Sequence, residues 1–361
     1  MSTDTNLPPH LAMSSSSRAM LMKCRKLVPP LLEKFHKGQL GRVAVIGGSA
    51  DYTGAPYFSA MASARLGCDL SYVFCEPSAA PTIKSYSPNL MVSPILRSTS
   101  SISKTDPEPS DEELAQPILD YLPRLHVLVI GPGLGRDPVT QRQVKAVIQA
   151  ARKQDPPVPM VLDADALWLV QTEPDLIKGY PEVILTPNVI EFGRLAKSCG
   201  LKDEDLKGDK SKQCQELAKI LGGVCIIQKG PVDYISQGQD TTISDFKGGL
   251  KRAGGQGDTL TGSLGTFLGW RQLYHEGLWD LGDEPMSRAE TLLVVAFAGS
   301  AITRECSRRA FAKRARSLQA SDLTDEVHES FLHLIGEPEY VSHEESKAHG
   351  EVNEHKAHAN M

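Results

Sequence analysis

Arg42-Val43-Ala44-Val45-Ile46-Gly47-Gly48-Ser49 is a short run rich in β-branched residues that breaks at two glycines, and small residues at 55–66 follow it. A strand that stops at glycine and leads into a helix is the unit from which parallel sheets are built. The same grammar recurs down the chain. Strands are expected at 42–46, 70–74, 127–130, 160–162, 183–185 and 224–228, and helices at 55–66, 139–152, 166–171, 191–199 and 212–221. Four of the strands are continuous apolar runs, as expected where helices cover both faces of a sheet. The expectation is an α/β fold around a mainly parallel sheet.

With 361 residues, 40% hydrophobic and 23% charged, the chain can bury a large core as one large domain or two modest ones. Its net charge of −5 gives no general basic surface for nucleic acid, so a small-molecule partner is expected. Seven cysteines are scattered without CxxC or Cys/His spacing, which argues against a zinc site or a disulfide framework and for a reducing, cytoplasmic setting. The longest strongly apolar segment, 291–302, has the length of a buried core helix and is too short to span a membrane. Translation from Met13 or Met20 would expose a Ser/Arg-rich, acid-free start and so an organelle-targeted form. Residues 97–116 read as a surface insertion. Residues 336–361 read as a disordered His/Glu-rich tail, with metal binding by His343, His349, His355 and His358 the minor alternative. The basic run 308–316 reads as a solvated helix face.

The chemistry concentrates at glycines. Ala253-Gly254-Gly255-Gln256-Gly257-Asp258 joins an anion cradle to one acid at an expected helix start. Asp258 then stands where a hydroxyl attacking a phosphate must lose its proton; its bland alternative is a helix cap. Gly47-Gly48-Ser49 with Tyr52 to Pro56, and Gly131-Pro132-Gly133-Leu134-Gly135-Arg136, each follow a strand, but neither has the G-x-G-x-x-G spacing of a dinucleotide fingerprint. In Leu162-Asp163-Ala164-Asp165, Asp163 is expected at the site and Asp165 as the cap of the next helix. Asn188 and Glu191, an N-x-x-E pair after a strand, could hold a hydrated Mg²⁺ through water. Lys229, after another strand, could meet nucleotide phosphates; the alternative is a plain Gly230-Pro231 turn.

Taken in order, G-G-S-x-x-Y-T-G-A-P, K-S-Y-S-P-N-L-M-V (84–92), G-P-G-L-G-R, L-D-A-D-A-L, T-P-N-V-I-E-F-G-R-L, K-G-P-V-D and G-G-Q-G-D-T-L-T-G resemble the ATP-dependent NAD(P)H-hydrate dehydratases of the ribokinase-like superfamily, eukaryotic branch. The resemblance covers roughly 20–335, leaving 1–19 as a variable N-terminal segment. It implies a three-layer α/β/α sandwich with the site at the carboxyl ends of the strands. It also implies ATP lined by Lys229, Gly230, Pro231, Val232 and Asp233 and by Gly248, Gly249, Leu250, Lys251, Arg252, Ala253, Gly254, Gly255, Gln256 and Gly257. The hydrated nicotinamide nucleotide would meet Gly133, Gly135, Asn188, Val189, Ile190, Glu191, Phe192, Gly193, Arg194 and Asp258. Asn188 and Glu191 match the superfamily's Mg²⁺ motif, and Gln256 departs from the wider kinase pattern G-A-G-D. The implied reaction returns the S epimers of NADH hydrate and NADPH hydrate to NADH and NADPH with release of ADP and phosphate. An NAD(P)H-hydrate epimerase is the implied functional partner, and a homo-oligomer is compatible with the family. A vitamin-precursor kinase of the same fold, or a nucleotide-binding regulator without turnover, are the rival expectations.

Overall fold

The computed structural model describes residues 13–102, 108–281 and 284–338. Among the described residues nine strands form one sheet: β1 (Arg42–Ile46), β2 (Leu70–Phe74), β3 (Met91–Ser93), β4 (Val127–Ile130), β5 (Met160–Leu162), β6 (Val183–Leu185), β7 (Cys225–Gln228), β8 (Asp233–Ser236) and β9 (Thr241–Ser244). Their order across the sheet is β3-β2-β1-β4-β5-β6-β7-β8-β9, and all neighbours are parallel except β7–β8 and β8–β9. The six expected strands are present, with β7 starting one residue later than expected. The three strands not anticipated are the short β3 at one edge and the antiparallel pair β8 and β9 at the other.

Alternate residues of the strands point to opposite faces, and each face builds its own core. Val43, Val45, Val73, Val127, Val129, Val161 and Ile227 face one cluster, packed under the helices Ser15–Lys26, Gly54–Leu66, Gln256–His275 and Arg288–Arg314. Ala44, Ile46, Phe74, Leu128, Ile130, Leu162 and Ile226 face the other, under Asp111–Leu119, Pro138–Lys153, Asp165–Thr172, Val189–Ser198 and Lys210–Ile220. The result is the three-layer sandwich. The helix Gln256–His275 is buried on all sides, because small residues let its neighbours approach closely. A Cβ added at Gly262 would lie 2.0 Å from the Ser59 carbonyl oxygen, and one at Gly265 2.9 Å from Val43 Cγ1. Among the described residues no helix is long and apolar enough to cross a membrane.

Several expectations change at this scale. The helix Asp111–Leu119 begins inside the 97–116 stretch, where Leu114 and Ala115 are buried, so the stretch is not all surface; residues 103–107 lie outside the described residues. The basic run is not simply solvated. Arg308 pairs with Glu305 within the long helix, while Arg309 pairs with Glu326 and Glu329 and Arg314 with Asp322, which ties that helix to the C-terminal helices Ala320–Asp325 and Val327–Leu334. The boundary placed at 19/20 falls inside the helix Ser15–Lys26. His343, His349, His355 and His358 lie outside the described residues.

Candidate active site

Between β1 and β4 the strand order changes direction, and such a switch point at the carboxyl strand ends is where open α/β sheets receive ligands. The two glycine loops meet there. Gly48 N–H donates to the Gly133 carbonyl at 3.0 Å and Ser49 Oγ to the same oxygen at 3.1 Å. A Cβ at Gly47 would sit 2.0 Å from the Pro132 carbonyl oxygen, and one at Gly131, where φ is +123°, 1.8 Å from the Asp163 carbonyl oxygen. Only glycine lets these loops close on one another and on the end of β5.

Asp163 follows β5 and is 4% exposed. Its Oδ1 accepts from Thr186 Oγ1 at 2.8 Å and from Lys229 Nζ at 2.9 Å, which joins the ends of β5, β6 and β7 in one polar cluster. Gly257 closes the cluster from above: a Cβ there would lie 3.5 Å from both Asp163 Oδ2 and Lys229 Nζ. Burial works against the Lys229 ammonium, but Asp163, Glu191 and Asp258 around it more than offset this, and its pKa rises. Asp258 stands in the first turn of Gln256–His275 and is 7% exposed. Burial, reinforced by the Asp163 carboxylate and opposed by Lys229, holds its pKa well above the usual carboxylate range. A carboxylate of raised pKa is a stronger base, which suits it to take a proton from a hydroxyl.

The anion cradle is present above these groups. Gly255 is left-handed at φ +85° and supplies no side-chain cap; among the described residues the Gln256 and Gly257 amides of the first turn have no hydrogen-bond partner, while Asp258 N–H donates to the Gly255 carbonyl at 3.1 Å. Gln256 does not crowd them, since its Nε2 turns back to the Lys251 carbonyl at 3.0 Å. Lys251, Arg252 and Gly254 are exposed, Ala253 is half-buried, and Leu250 is 82% exposed beside the cradle. Gly248 and Gly249 pack against Ser307 and Phe311, where a Cβ at Gly249 would come within 2.6 Å of the Ser307 carbonyl.

Two acids depart from their expected roles. Asp165 is not the cap of its helix; the cap position is Ala164, and Asp165 Oδ2 accepts the Gly135 N–H at 3.0 Å while Oδ1 takes Arg136 Nε. Asp233, expected to line ATP, turns into the protein. It accepts from Gly230 N–H at 3.0 Å, Ser300 Oγ at 2.7 Å and Arg304 Nε at 2.9 Å. Arg304 in turn donates to the carbonyls of Gly230 and Pro231, so the pair braces the turn between β7 and β8 that carries Lys229 and Gly230. Sequence reasoning missed Arg304, whose only signal is a cation in the middle of a mostly apolar helix.

Asn188 and Glu191 form a capping box. Asn188 Oδ1 accepts from Ile190 and Glu191 N–H at 2.9 and 3.0 Å, and Glu191 Oε2 accepts from Asn188 N–H at 2.8 Å. Burial raises the Glu191 pKa against the Asn188 hydrogen bond and Lys229, with Asp163 and Asp165 adding to the rise. Val189 and Ile190 are exposed, Gly193 is half-buried, Arg194 is exposed, and Phe192 is buried in the core. Tyr52 and Tyr86 are exposed apolar groups near the glycine loop after β1. The crevice thus has a charged floor, an amide cradle and an apolar rim, the parts needed to hold a nucleotide and move a phosphoryl group.

A family model described as NAD(P)H-hydrate dehydratase matches residues 43–329. A protein of Emericella nidulans named an ATP-dependent (S)-NAD(P)H-hydrate dehydratase is 59% identical, with 90% of this chain and 96% of that one covered. A protein of the same name from Neurospora crassa is 57% identical, with 93% and 99% covered. The solved ADP/ATP-dependent NAD(P)H-hydrate dehydratase of Bacillus subtilis, co-crystallised with ATP and Mg²⁺, shares the fold at a TM-score of 0.59 and 21% identity, over 86% of this chain and 96% of that one. With these matches and this site, the chain belongs to the NAD(P)H-hydrate dehydratase family.

Proposed function

We propose that the chain uses ATP to dehydrate (S)-NADH hydrate and (S)-NADPH hydrate to NADH and NADPH. The observation that carries the reading is the placement of a buried, high-pKa Asp258 in the first turn under an uncapped glycine cradle, beside Lys229. In this reading the Asp258 carboxylate takes the proton of the C6 hydroxyl as that oxygen attacks the γ-phosphorus. The bond to the β,γ-bridging oxygen breaks and ADP leaves. First-turn amides and the Lys229 ammonium face the charge that collects on the transferring oxygens. Phosphate is a better leaving group than hydroxide, so the ring-nitrogen lone pair expels it from C6. Loss of the C5 proton then restores the reduced ring. The apolar rim of Tyr52, Val189, Ile190 and Leu250 suits nucleobases and the nicotinamide face.

The donor set fits a hydrated Mg²⁺ better than a direct protein cage. Among the described residues no group of three or more His, Cys, Asp or Glu could hold an ion, and Asn188 Oδ1 is engaged by two amides. The second oxygen of Glu191 is the group that would reach such an ion through water. When bound, Mg²⁺ supplies charge to offset that of the triphosphate. The proposal extends to a cytoplasmic setting, supported by seven free thiols, and to service alongside an NAD(P)H-hydrate epimerase, which would supply the S epimer.

The test is a coupled assay of purified protein with (S)-NADH hydrate, ATP and Mg²⁺. Near-ultraviolet absorbance of the reduced ring should rise one-to-one with ADP. Asp258→Asn should keep ATP binding and lose about 10²- to 10⁴-fold in turnover. ADP release with a stable phosphate ester and no absorbance gain would point to a kinase instead.

A further inference from the structure

Arg136 has a mount that the chemistry at Asp258 does not require. Its Nε donates to Asp165 Oδ1 at 3.0 Å, while the other oxygen of Asp165 holds the Gly135 amide. Its guanidinium carbon lies 5.6 Å from the centroid of the Trp168 ring, on the helix Asp165–Thr172. One edge of the guanidinium is thus fixed by a carboxylate and one face by an indole. Nη1 and Nη2 have no hydrogen bond to the protein among the described residues, and the side chain is 54% exposed. A planar cation with one edge on a carboxylate, one face on an indole and its outer fork free is an arrangement suited to two-pronged contact with phosphate.

Its position narrows the ligand. Lys229 stands at the end of β7, and the cradle at 253–257 heads the helix Gln256–His275 on one face of the sheet, where Gly255 comes close to Phe58. Arg136 continues the glycine loop after β4, on the other side of Asp163 from Lys229, and leans on Trp168, whose helix covers the opposite face. Asp163, Glu191 and Asp258 make the floor acidic, and a dinucleotide brings further negative charge on its phosphates. A fixed cation on the rim offsets that repulsion. We propose that Arg136 reads a phosphate of the hydrated dinucleotide through its free Nη pair, with Asp165 and Trp168 as its mount. The proposal rests on the dehydratase reading above and adds a contact to it.

The experiment compares wild type, Arg136→Gln and Arg136→Lys with (S)-NADH hydrate and (S)-NADPH hydrate at saturating ATP, with melting temperatures recorded for all three. Arg136→Gln should raise KM about tenfold or more while kcat and the KM for ATP hold, the scale of one lost charge-assisted contact. Arg136→Lys, which keeps the charge and loses the fork, should fall between. A rise for the NADPH hydrate alone assigns the contact to the 2′-phosphate; a rise for both assigns it to the diphosphate. Unchanged KM for both hydrates, or a fall in kcat and melting temperature without a change in KM, overturns the proposal and leaves Arg136 as a staple for the glycine loop. Failure of the wild-type chain to turn over either hydrate would instead overturn the dehydratase reading along with this one.

Discussion

Asp258 is useful as a base only if its pKa stays high and its proton can leave, and two neighbours pull that balance in opposite directions. Burial raises it, Asp163 raises it further, and Lys229 lowers it. The acid limb of a kcat/KM profile follows the loss of the ionised base as pH falls. Lys229→Met removes the opposing cation, so the limb should move to higher pH, with kcat/KM down by about 10²-fold if the phosphate contact proposed for Lys229 is made. Asp163→Asn removes the neighbouring negative charge, so the limb should move to lower pH. Shifts of the same sign in both variants would show that Asp258 is not the group being titrated. Asp258 and Lys229 were legible in the sequence because each sits at a motif whose local geometry dictates its place, a helix start and a strand end. Asp165 and Asp233 were not, because their partners are remote: Gly135 thirty residues upstream and Arg304 seventy-one downstream. No local pattern announces where a carboxylate will find its donor.

At the scale of elements, what places Asp258 is the close approach of three helices. Gln256–His275 lies against Gly54–Leu66 through Gly262, with Ser59 Oγ and Thr261 Oγ1 2.9 Å apart beside the contact, and against Arg288–Arg314 through Gly299. Gly262→Ala would drive a methyl into the Ser59 carbonyl, a backbone atom that cannot rotate away. A loss of about 1–3 kcal/mol is expected, seen as a melting temperature several degrees lower. Gly254→Ala, which meets nothing within 4 Å, should leave the melting temperature unchanged. Equal melting of both variants would mean the helices separate more readily than this packing implies. The buried parallel strands were readable as apolar runs because both of their faces are covered. β3 escaped notice because it has three residues, and β8 and β9 because their polar residues, Asp233 and Ser236, Thr241 and Ser244, read as loop chemistry. The Gly230-Pro231 turn is present, braced by Asp233 and Arg304, and the proposed function puts the nucleotide at the same segment.

Across the whole molecule, the helix Ser15–Lys26 is joined to the active-site side of the fold by a hydrogen-bonded relay as well as by its packing on Arg288–Arg314. Ser15–Lys26 packs Leu21 and Cys24 into the core shared with Arg288–Arg314, and Ser14 caps it by accepting the Ser17 amide at 3.2 Å. Ser17 Oγ donates to Asp245 at 2.6 Å. The next residue, Phe246, stacks edge-on with Phe297, and its carbonyl accepts from Arg304 at 3.1 Å, the same arginine that braces the Gly230-Pro231 turn. A chain begun at Met13 keeps every link of this relay, whereas one begun at Met20 loses Ser14 and Ser17 and with them the cap and the Asp245 contact. Losing a cap and a hydrogen bond to a carboxylate together should cost about 2 kcal/mol or more. The Met20 form should therefore unfold at a lower urea midpoint than the Met13 form with the same slope. Because Asp245 leads into the loop that Arg304 holds, the Met20 form should also show a raised KM for ATP at little changed KM for the hydrate. Equal midpoints would mean that the first turn of this helix contributes nothing to the fold. A lower midpoint with an unchanged KM for ATP would place the break in the relay between Asp245 and Arg304, and so confine the N-terminal helix to a stabilising role.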